Sequence, residues 1–219
     1  MKNYLDIKEM LVKLMDTDSR YYYLNGSSAL YFAYRSIQEP DGIEYLARVE
    51  DGDQPIYEKN DLEATLSRLK RRFDNMSYKI YTKNKNEALY LVEVDGVFAF
   101  SAEVKFCLSD KDIYRKTDYV NSFRTVKVTS LYDKVLKDCE EQYKAGTLSY
   151  ANLYRVCFIL CSFEDMLGKL QIRRSKKLLN SIGEQGMRDC IFNDKTETAA
   201  KKEILDSYVN ILVSRYNLK

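Results

Sequence analysis

Histidine and tryptophan are absent from this chain of 219 residues, and proline occurs only twice. Without histidine no Ser–His or Cys–His nucleophilic pair can form, which excludes most hydrolase mechanisms that use a covalent intermediate. The sequence also has no GxxxxGK[ST] loop and no GxGxxG loop. It therefore offers no basis for a P-loop NTPase, a kinase or a Rossmann dehydrogenase.

Long apolar runs are missing as well. None reaches the roughly 18 residues of a membrane span, and the first residues, MKNYLDIKEMLVKL, have the pattern of an amphipathic helix and not of a signal peptide. The five cysteines are an odd number without CxxC spacing, and Cys157 and Cys161, one helical turn apart, are expected to pack in a core. We therefore expect a cytoplasmic protein with reduced thiols and no membrane partner.

Charge is nearly balanced, with 35 Lys and Arg against 33 Asp and Glu, so no overall field attracts nucleic acid. Basic side chains are nevertheless clustered in SRLKRRF (67–73) and IRRSKK (172–177). Each cluster either contacts a triphosphate or an RNA backbone, or is simply a solvated helix face. With 45% hydrophobic residues the chain is expected to be globular.

Hydrophobic periodicity, caps and turns predict an α+β fold with a mixed sheet and flanking helices, followed by a helical bundle. The Asp95-Gly96 pair predicts a hairpin between strands 88–94 and 97–106, and Asn60 with Glu63 predicts a capping box for helix 61–73. No strand is expected after about residue 130. The predicted domains are residues 1–129 and, packed against them, 130–219. The other predicted elements are helices 4–15, 27–37, 131–144, 148–163, 165–181 and 196–216 and strands 21–24, 43–49 and 124–128.

The stretch YYYLNGSSALYFAYR (21–35) passes from strand-forming aromatics through Asn-Gly-Ser-Ser into a helical pattern. Gly26, Ser27 and Ser28 would leave backbone N–H groups free at the positive end of a helix dipole, with small side chains that let a phosphate approach. A helix cap without any ligand is the simpler alternative. The step therefore predicts either a phosphate site or a cap.

LNGSSALYFAYR resembles the GG(S/T)AL segment of the abortive-infection type E (AbiEii-like) nucleotidyltransferase toxins. The resemblance implies a nucleotidyltransferase-like fold in which Gly26, Ser27 and Ser28 hold the triphosphate of an NTP. It also implies an Asp-x-Asp pair on the next strand, and an ungapped count reaches Gly42-Ile43-Glu44. A third carboxylate is implied at Glu103 in FSAEVKF. The resemblance covers about residues 20–165.

Such carboxylates would hold Mg²⁺, which activates an acceptor hydroxyl for attack on the α-phosphate. The resemblance thus implies Glu44 and Glu103 as catalytic residues and as metal ligands, with Asp41, one residue out of register, as a further candidate ligand. Asp51-Gly52-Asp53 also has Asp-x-Asp spacing, but its glycine and the nearby Pro55 indicate a solvated turn.

The acidic motifs are degenerate. Gly42 stands in place of the first carboxylate, and Asn152 and Arg155 stand where the family often has acids. Two hypotheses follow. In one, the protein transfers a nucleoside monophosphate to RNA or protein in a toxin–antitoxin or phage-defence system. In the other, it is an inactive module that binds a nucleotide, an RNA or a partner protein. An unrelated α/β fold is the third alternative.

Overall fold

The computed structural model describes residues 4–51, 54–55, 60–108 and 116–218. Within them the chain forms two units, Met1–Lys127 and Val128–Lys219. The first unit contains α1 (Tyr4–Asp18), β1 (Tyr22–Leu24), α2 (Gly26–Ser28), a π-helical segment (Ala29–Ala33), β2 (Gly42–Arg48), β3 (Glu50–Asp51), β4 (Gln54–Pro55), α3 (Asp61–Arg72), β5 (Met76–Lys83), β6 (Glu87–Val94), β7 (Val97–Leu108), β8 (Thr117–Val120) and β9 (Phe123–Val126).

Seven of these strands form one mixed sheet in the order β5-β6-β7-β2-β1-β9-β8. Two pairs are parallel, β2 with β7 and β1 with β9, and the others are antiparallel. The β6–β7 hairpin turns at Asp95 (φ 54°) and Gly96 (φ 76°), both left-handed as a type I′ turn requires. The predicted α+β class and this hairpin are confirmed.

One face of the sheet is buried. On the central strands β2 and β7 it carries Ile43, Tyr45, Ala102 and Val104, each at most 3% exposed. Because side chains alternate along a strand, the residues between them, among them Glu44 and Glu103, lie on the other face. Those two carboxylates are only partly buried.

Helix α3 shows how local signals fix an element. The Asn60 side chain accepts a hydrogen bond from the Glu63 N–H at 3.2 Å, which confirms the predicted cap. Leu62, Leu66 and Leu69 follow at helical spacing and are fully buried.

Several boundaries differ from prediction. Strand β5 was not predicted, because it is an edge strand whose exposed Ile80 and Tyr81 give no alternating pattern. The predicted helix 27–37 begins at Gly26 and ends at Ala33, since Arg35 turns left-handed (φ 63°) and the Asn121 side-chain amide donates to the Ala33 carbonyl at 2.7 Å.

The second unit is helical, and its described residues contain no strand, as predicted. Cys139 and Cys157 are fully buried, and burial raises the pKa of both thiols. Among the described parts of the chain, no helix has both the length and the apolar character needed to cross a membrane. The elements are α4 (Val128–Lys144), α5 (Tyr150–Phe163), a 3₁₀ turn (Glu164–Met166), α6 (Lys169–Asn193), interrupted at Gly183, and α7 (Ala199–Tyr216).

Candidate functional site

The Gly26 step lies directly against strand β2. Strand β1 ends at Leu24, and the N–H of the next residue, Asn25, donates to the Glu44 carbonyl at 2.9 Å. Gly26 then turns left-handed (φ 54°), and a Cβ at this position would lie 2.4 Å from Glu44 Oε2. The left-handed turn favours glycine at this position, and the absence of a side chain lets the Glu44 carboxylate lie directly against the backbone.

Two serines attach this step to the strand. The buried hydroxyl of Ser28 donates to the Gly42 carbonyl and accepts from the Glu44 N–H, both at 2.9 Å. It thus supplies hydrogen bonds that a neighbouring strand would otherwise make. The Ser27 hydroxyl donates to Glu44 Oε1 at 3.2 Å, so the Glu44 carboxylate occupies the start of the helix, where an anionic ligand would bind.

Glu44 and Glu103 are brought together by the β2–β7 pairing. The two strands are parallel and these residues are direct partners in the register. Their side chains therefore leave the same face of the sheet, on strands about 4.8 Å apart. The sequence-based pairing of these two positions around one site is thus compatible with the geometry of the sheet.

Position 42 offers no third ligand. Gly42 is the register partner of Ser101, and a Cβ on Gly42 would lie 2.3 Å from Ser101 Oγ and 2.8 Å from the Ser101 carbonyl oxygen. The serine thus fills the space that a carboxylate side chain would need. Asp41 is exposed and precedes β2, and no hydrogen bond or ion pair joins it to another described residue.

Two charged residues at this site were missed by the sequence reasoning. Lys105 Nζ lies 3.0 Å from Glu103 Oε1, and Glu87 is the register partner of Lys105 on β6. The pKa of Lys105 is raised, chiefly by its hydrogen bond to Glu103 and further by Glu44 and Glu87. The i, i+2 spacing of Glu103 and Lys105 could have predicted that the two side chains share a face of the strand. The position of Glu87 could not be predicted without the register between β6 and β7.

The remaining predicted candidates lie elsewhere or outside the described residues. Asp53 falls outside them, and the Asp51 backbone belongs to the separate β3–β4 ribbon. In the helical unit, Arg155 donates to the Asn152 side chain at 3.2 Å. At the two positions where the resemblance implies acids, the second unit therefore has an amide and a guanidinium that contact each other.

The basic clusters are partly neutralised within their own units. Arg68 pairs with Asp18 at 2.5 Å in the first unit, and Arg174 pairs with Glu140 at 2.8 Å in the second. Lys70, Arg72, Arg173 and Lys177 are exposed. These arrangements agree with solvated helix faces and do not by themselves indicate a phosphate site.

The donor set decides which metal arrangement these residues fit. No group of three or more Asp, Glu, Cys or His side chains among the described residues could hold a metal ion. With Gly42 blocked by Ser101, the described residues of this face do not supply the third carboxylate that a pair of ions would need. A single Mg²⁺ does fit the chemistry of Glu44 and Glu103, because Mg²⁺ commonly binds one or two carboxylates and completes its shell with water and phosphate oxygens.

A cleft of about 700 Å³ lies away from these residues, at the end of the π-helical segment and the β8–β9 turn. Gly26, Glu44 and Glu103 are not among its lining residues. Its lining residues are Glu9, Lys13, Tyr31, Phe32, Arg35, Ser36, Ile37, Asn121, Ser122 and Phe123.

Solved structures identify the fold. The chain is similar to JHP933 from Helicobacter pylori, at 13% identity and a TM-score of 0.63, covering 97% of this chain and 91% of that one. It is also similar to an H. pylori protein provisionally described as a nucleotidyltransferase, at 13% identity and a TM-score of 0.64, covering 98% and 95%. No protein-family model matches the sequence, and no curated protein is significantly similar to it. At this identity the likeness shows the fold.

Proposed function

Because the chain has the nucleotidyltransferase fold, we propose that it is a nucleotide-binding module whose Gly26–Ser28 step holds the phosphates of a nucleoside triphosphate. The proposal is supported by the arrangement of residues around Gly26. The glycine, the serine hydroxyl and the in-register Glu44 and Glu103 are all in place, while Ser101 fills the space of a further carboxylate at position 42.

Binding of a phosphate at this step requires that the negative charge of Glu44 be compensated. In the free protein its carboxylate lies against Gly26 and accepts from Ser27. A bare triphosphate would meet like charge there, which opposes binding. A nucleoside triphosphate carries Mg²⁺, and Glu44 and Glu103 are the residues that would hold this ion and so reduce the repulsion.

The residues around Glu44 have separate roles in this proposal. Ser27 exchanges its carboxylate acceptor for a phosphate oxygen, and the N–H groups of the first helical turn face the same oxygen. Ser28 keeps both of its bonds to β2, because its hydroxyl is buried against Gly42 and Glu44. Ser27 is thus a ligand-binding residue and Ser28 a positioning residue.

Transfer of a nucleoside monophosphate is the second candidate function. The shared face of Glu44 and Glu103 favours it, because two carboxylates beside a bound triphosphate are part of what such a reaction needs. The acceptor would be an RNA or a protein, and the setting a toxin–antitoxin or phage-defence system, as the AbiEii-like resemblance suggests. Magnesium at this site and a cytoplasmic location belong to the same proposal.

Calorimetric titration with each of the four NTPs, with and without Mg²⁺, tests whether the protein binds a nucleotide. We expect Mg²⁺-dependent binding that Glu44→Gln and Glu103→Gln each weaken by about tenfold or more, since charge-assisted contacts are worth about 1.5–3 kcal/mol. Glu141→Gln, the same charge change at an exposed residue of α4, is the control and should bind like the wild type. Absence of heat with all four NTPs would overturn the proposal.

Incubation with α-labelled NTPs and a tRNA pool separates the two candidates. If the protein only binds the nucleotide, we expect no transfer of label to RNA or to the protein itself. Label transfer that Glu103→Gln abolishes would instead establish the transferase, with one ion in place of two.

A further inference from the structure

Lys105 is a positively charged side chain beside Glu103, on the Glu44–Glu103 face of the sheet, to which the proposed function gives no role. It lies two residues after Glu103 on β7, opposite Leu46 of β2 and Glu87 of β6. Its ammonium lies 3.0 Å from Glu103 Oε1. The side chain is 47% exposed, so it is not held by packing and can leave this position.

Lys105 lies among carboxylates on this face of the sheet. The Lys105 ammonium pairs with Glu103 at 3.0 Å, Glu87 is the register partner of Lys105 on β6, and Glu44 is the register partner of Glu103 on β2. One positive charge against three negative charges leaves an excess of negative charge on this part of the sheet. A divalent cation would compensate it better than a single ammonium does.

We propose that in the free protein the Lys105 ammonium stands in for a divalent cation beside Glu103, and that Mg²⁺ binds there by displacing it. The inference rests on the proposed function only for the nucleotide that would bring the ion. The displacement itself involves Lys105, Glu44 and Glu103 alone. Displacement would free Glu103 Oε1 and leave the ammonium on the same face of the sheet. Lys105 is thus a residue that sets metal affinity and not a metal ligand.

A second lysine–glutamate pair on the same sheet provides a matched control. Lys79 Nζ lies 2.5 Å from Glu93 Oε1, and Lys79 is 70% exposed. Glu93 does not lie beside Glu44 or Glu103 in the strand register, because it pairs with Ser77 and Phe98. Removing Lys79 therefore removes an exposed ion pair without changing the charge beside the proposed ion.

The test is the affinity of the full chain for Mn²⁺ alone, measured by the loss of its free-ion paramagnetic resonance signal. We expect Lys105→Met to tighten Mn²⁺ binding by about two- to fivefold, because the ion no longer has to break an exposed ion pair, whose strength corresponds to about that factor. Lys105→Arg keeps the charge and should bind like the wild type. Lys79→Met should also bind like the wild type. Thermal unfolding of each variant verifies that it is folded.

The outcomes separate this inference from the proposed function. Unchanged or weaker Mn²⁺ binding by folded Lys105→Met overturns the displacement, whether or not the protein binds NTPs. Tighter Mn²⁺ binding by Lys105→Met supports it, even if calorimetry finds no NTP binding and the nucleotide-binding proposal fails. Equal tightening by Lys79→Met would show a general effect of net charge and would also overturn the inference.

Discussion

Gly26 lies two residues before Ser28, and the carbonyl of Gly42 accepts the Ser28 hydroxyl. A Cβ on either glycine would overlap a neighbour, but the two neighbours differ in kind. At Gly26 the nearest atoms belong to the Glu44 carboxylate, the mobile end of a long side chain. At Gly42 they are the hydroxyl of Ser101 and, at 2.8 Å, its backbone carbonyl oxygen. A side chain can move away from an added methyl group at little cost, whereas a strand backbone cannot.

The neighbours distinguish Gly26, which we propose to lie beside the ligand, from Gly42, which allows two strands to pack closely. Gly26 keeps a carboxylate close to the start of a helix, a contact that a bound phosphate would replace. Gly42 lets β2 approach β7 where the resemblance implies an acid. The packing of β2 against β7 therefore leaves no room for an acidic side chain at position 42.

Gly42→Ala should have the largest effect on stability. The added methyl group overlaps the Ser101 hydroxyl and backbone, and we expect a loss of about 3 kcal/mol in the free energy of unfolding, the upper range for overpacking. Urea denaturation of Gly42→Ala, Ser101→Gly and the double variant measures it. The double variant should recover only part of the loss, because the carbonyl oxygen stays. Full recovery would show that the hydroxyl alone blocks the position.

Ser28→Ala should cost about 2 kcal/mol, because it leaves the Glu44 N–H and the Gly42 carbonyl without their hydrogen bonds in a buried place. Ser27→Ala should change stability by less than about 0.5 kcal/mol, since it removes a partly exposed contact. The same denaturation experiment compares the two. Similar losses for both serines would contradict their assignment to different roles.

Gly26→Ala should cost about 1 kcal/mol of stability, from the left-handed backbone alone. Gly96→Ala is the matched control, since Gly96 is also left-handed (φ 76°) and a Cβ there meets nothing within 4 Å. The two variants should therefore unfold at similar urea concentrations, while calorimetry detects NTP binding only for Gly96→Ala. A much larger stability loss at Gly26 would mean that the Glu44 side chain cannot move, and the contrast with Gly42 would fail.

The parts of this fold that were readable from the sequence depend on local signals. Asn60 with Glu63, and Asp95 with Gly96, fix a helix start and a hairpin through contacts between near neighbours. The position of Glu44 against the Gly26 step was indicated by the resemblance.

What the sequence could not show depends on pairing between distant strands. The overlap of Ser101 with position 42 and the approach of Glu87 to Lys105 both follow from the β2–β7 and β6–β7 registers, which join residues far apart in the chain. Edge strand β5 was missed because solvent-exposed side chains on both of its faces remove the alternation. The helical turn lost after Ala33 depends on the Asn121 side chain, 88 residues away in sequence.

The most direct test of the account is the number of divalent ions at the site. Crystals grown with Mn²⁺ and a non-hydrolysable NTP would show each ion by its anomalous scattering. We expect one ion, bound to Glu44, Glu103 and the phosphates, with none at Gly42 and Ser101. Two ions between the strands and the triphosphate, or a nucleotide bound away from Gly26, would contradict it.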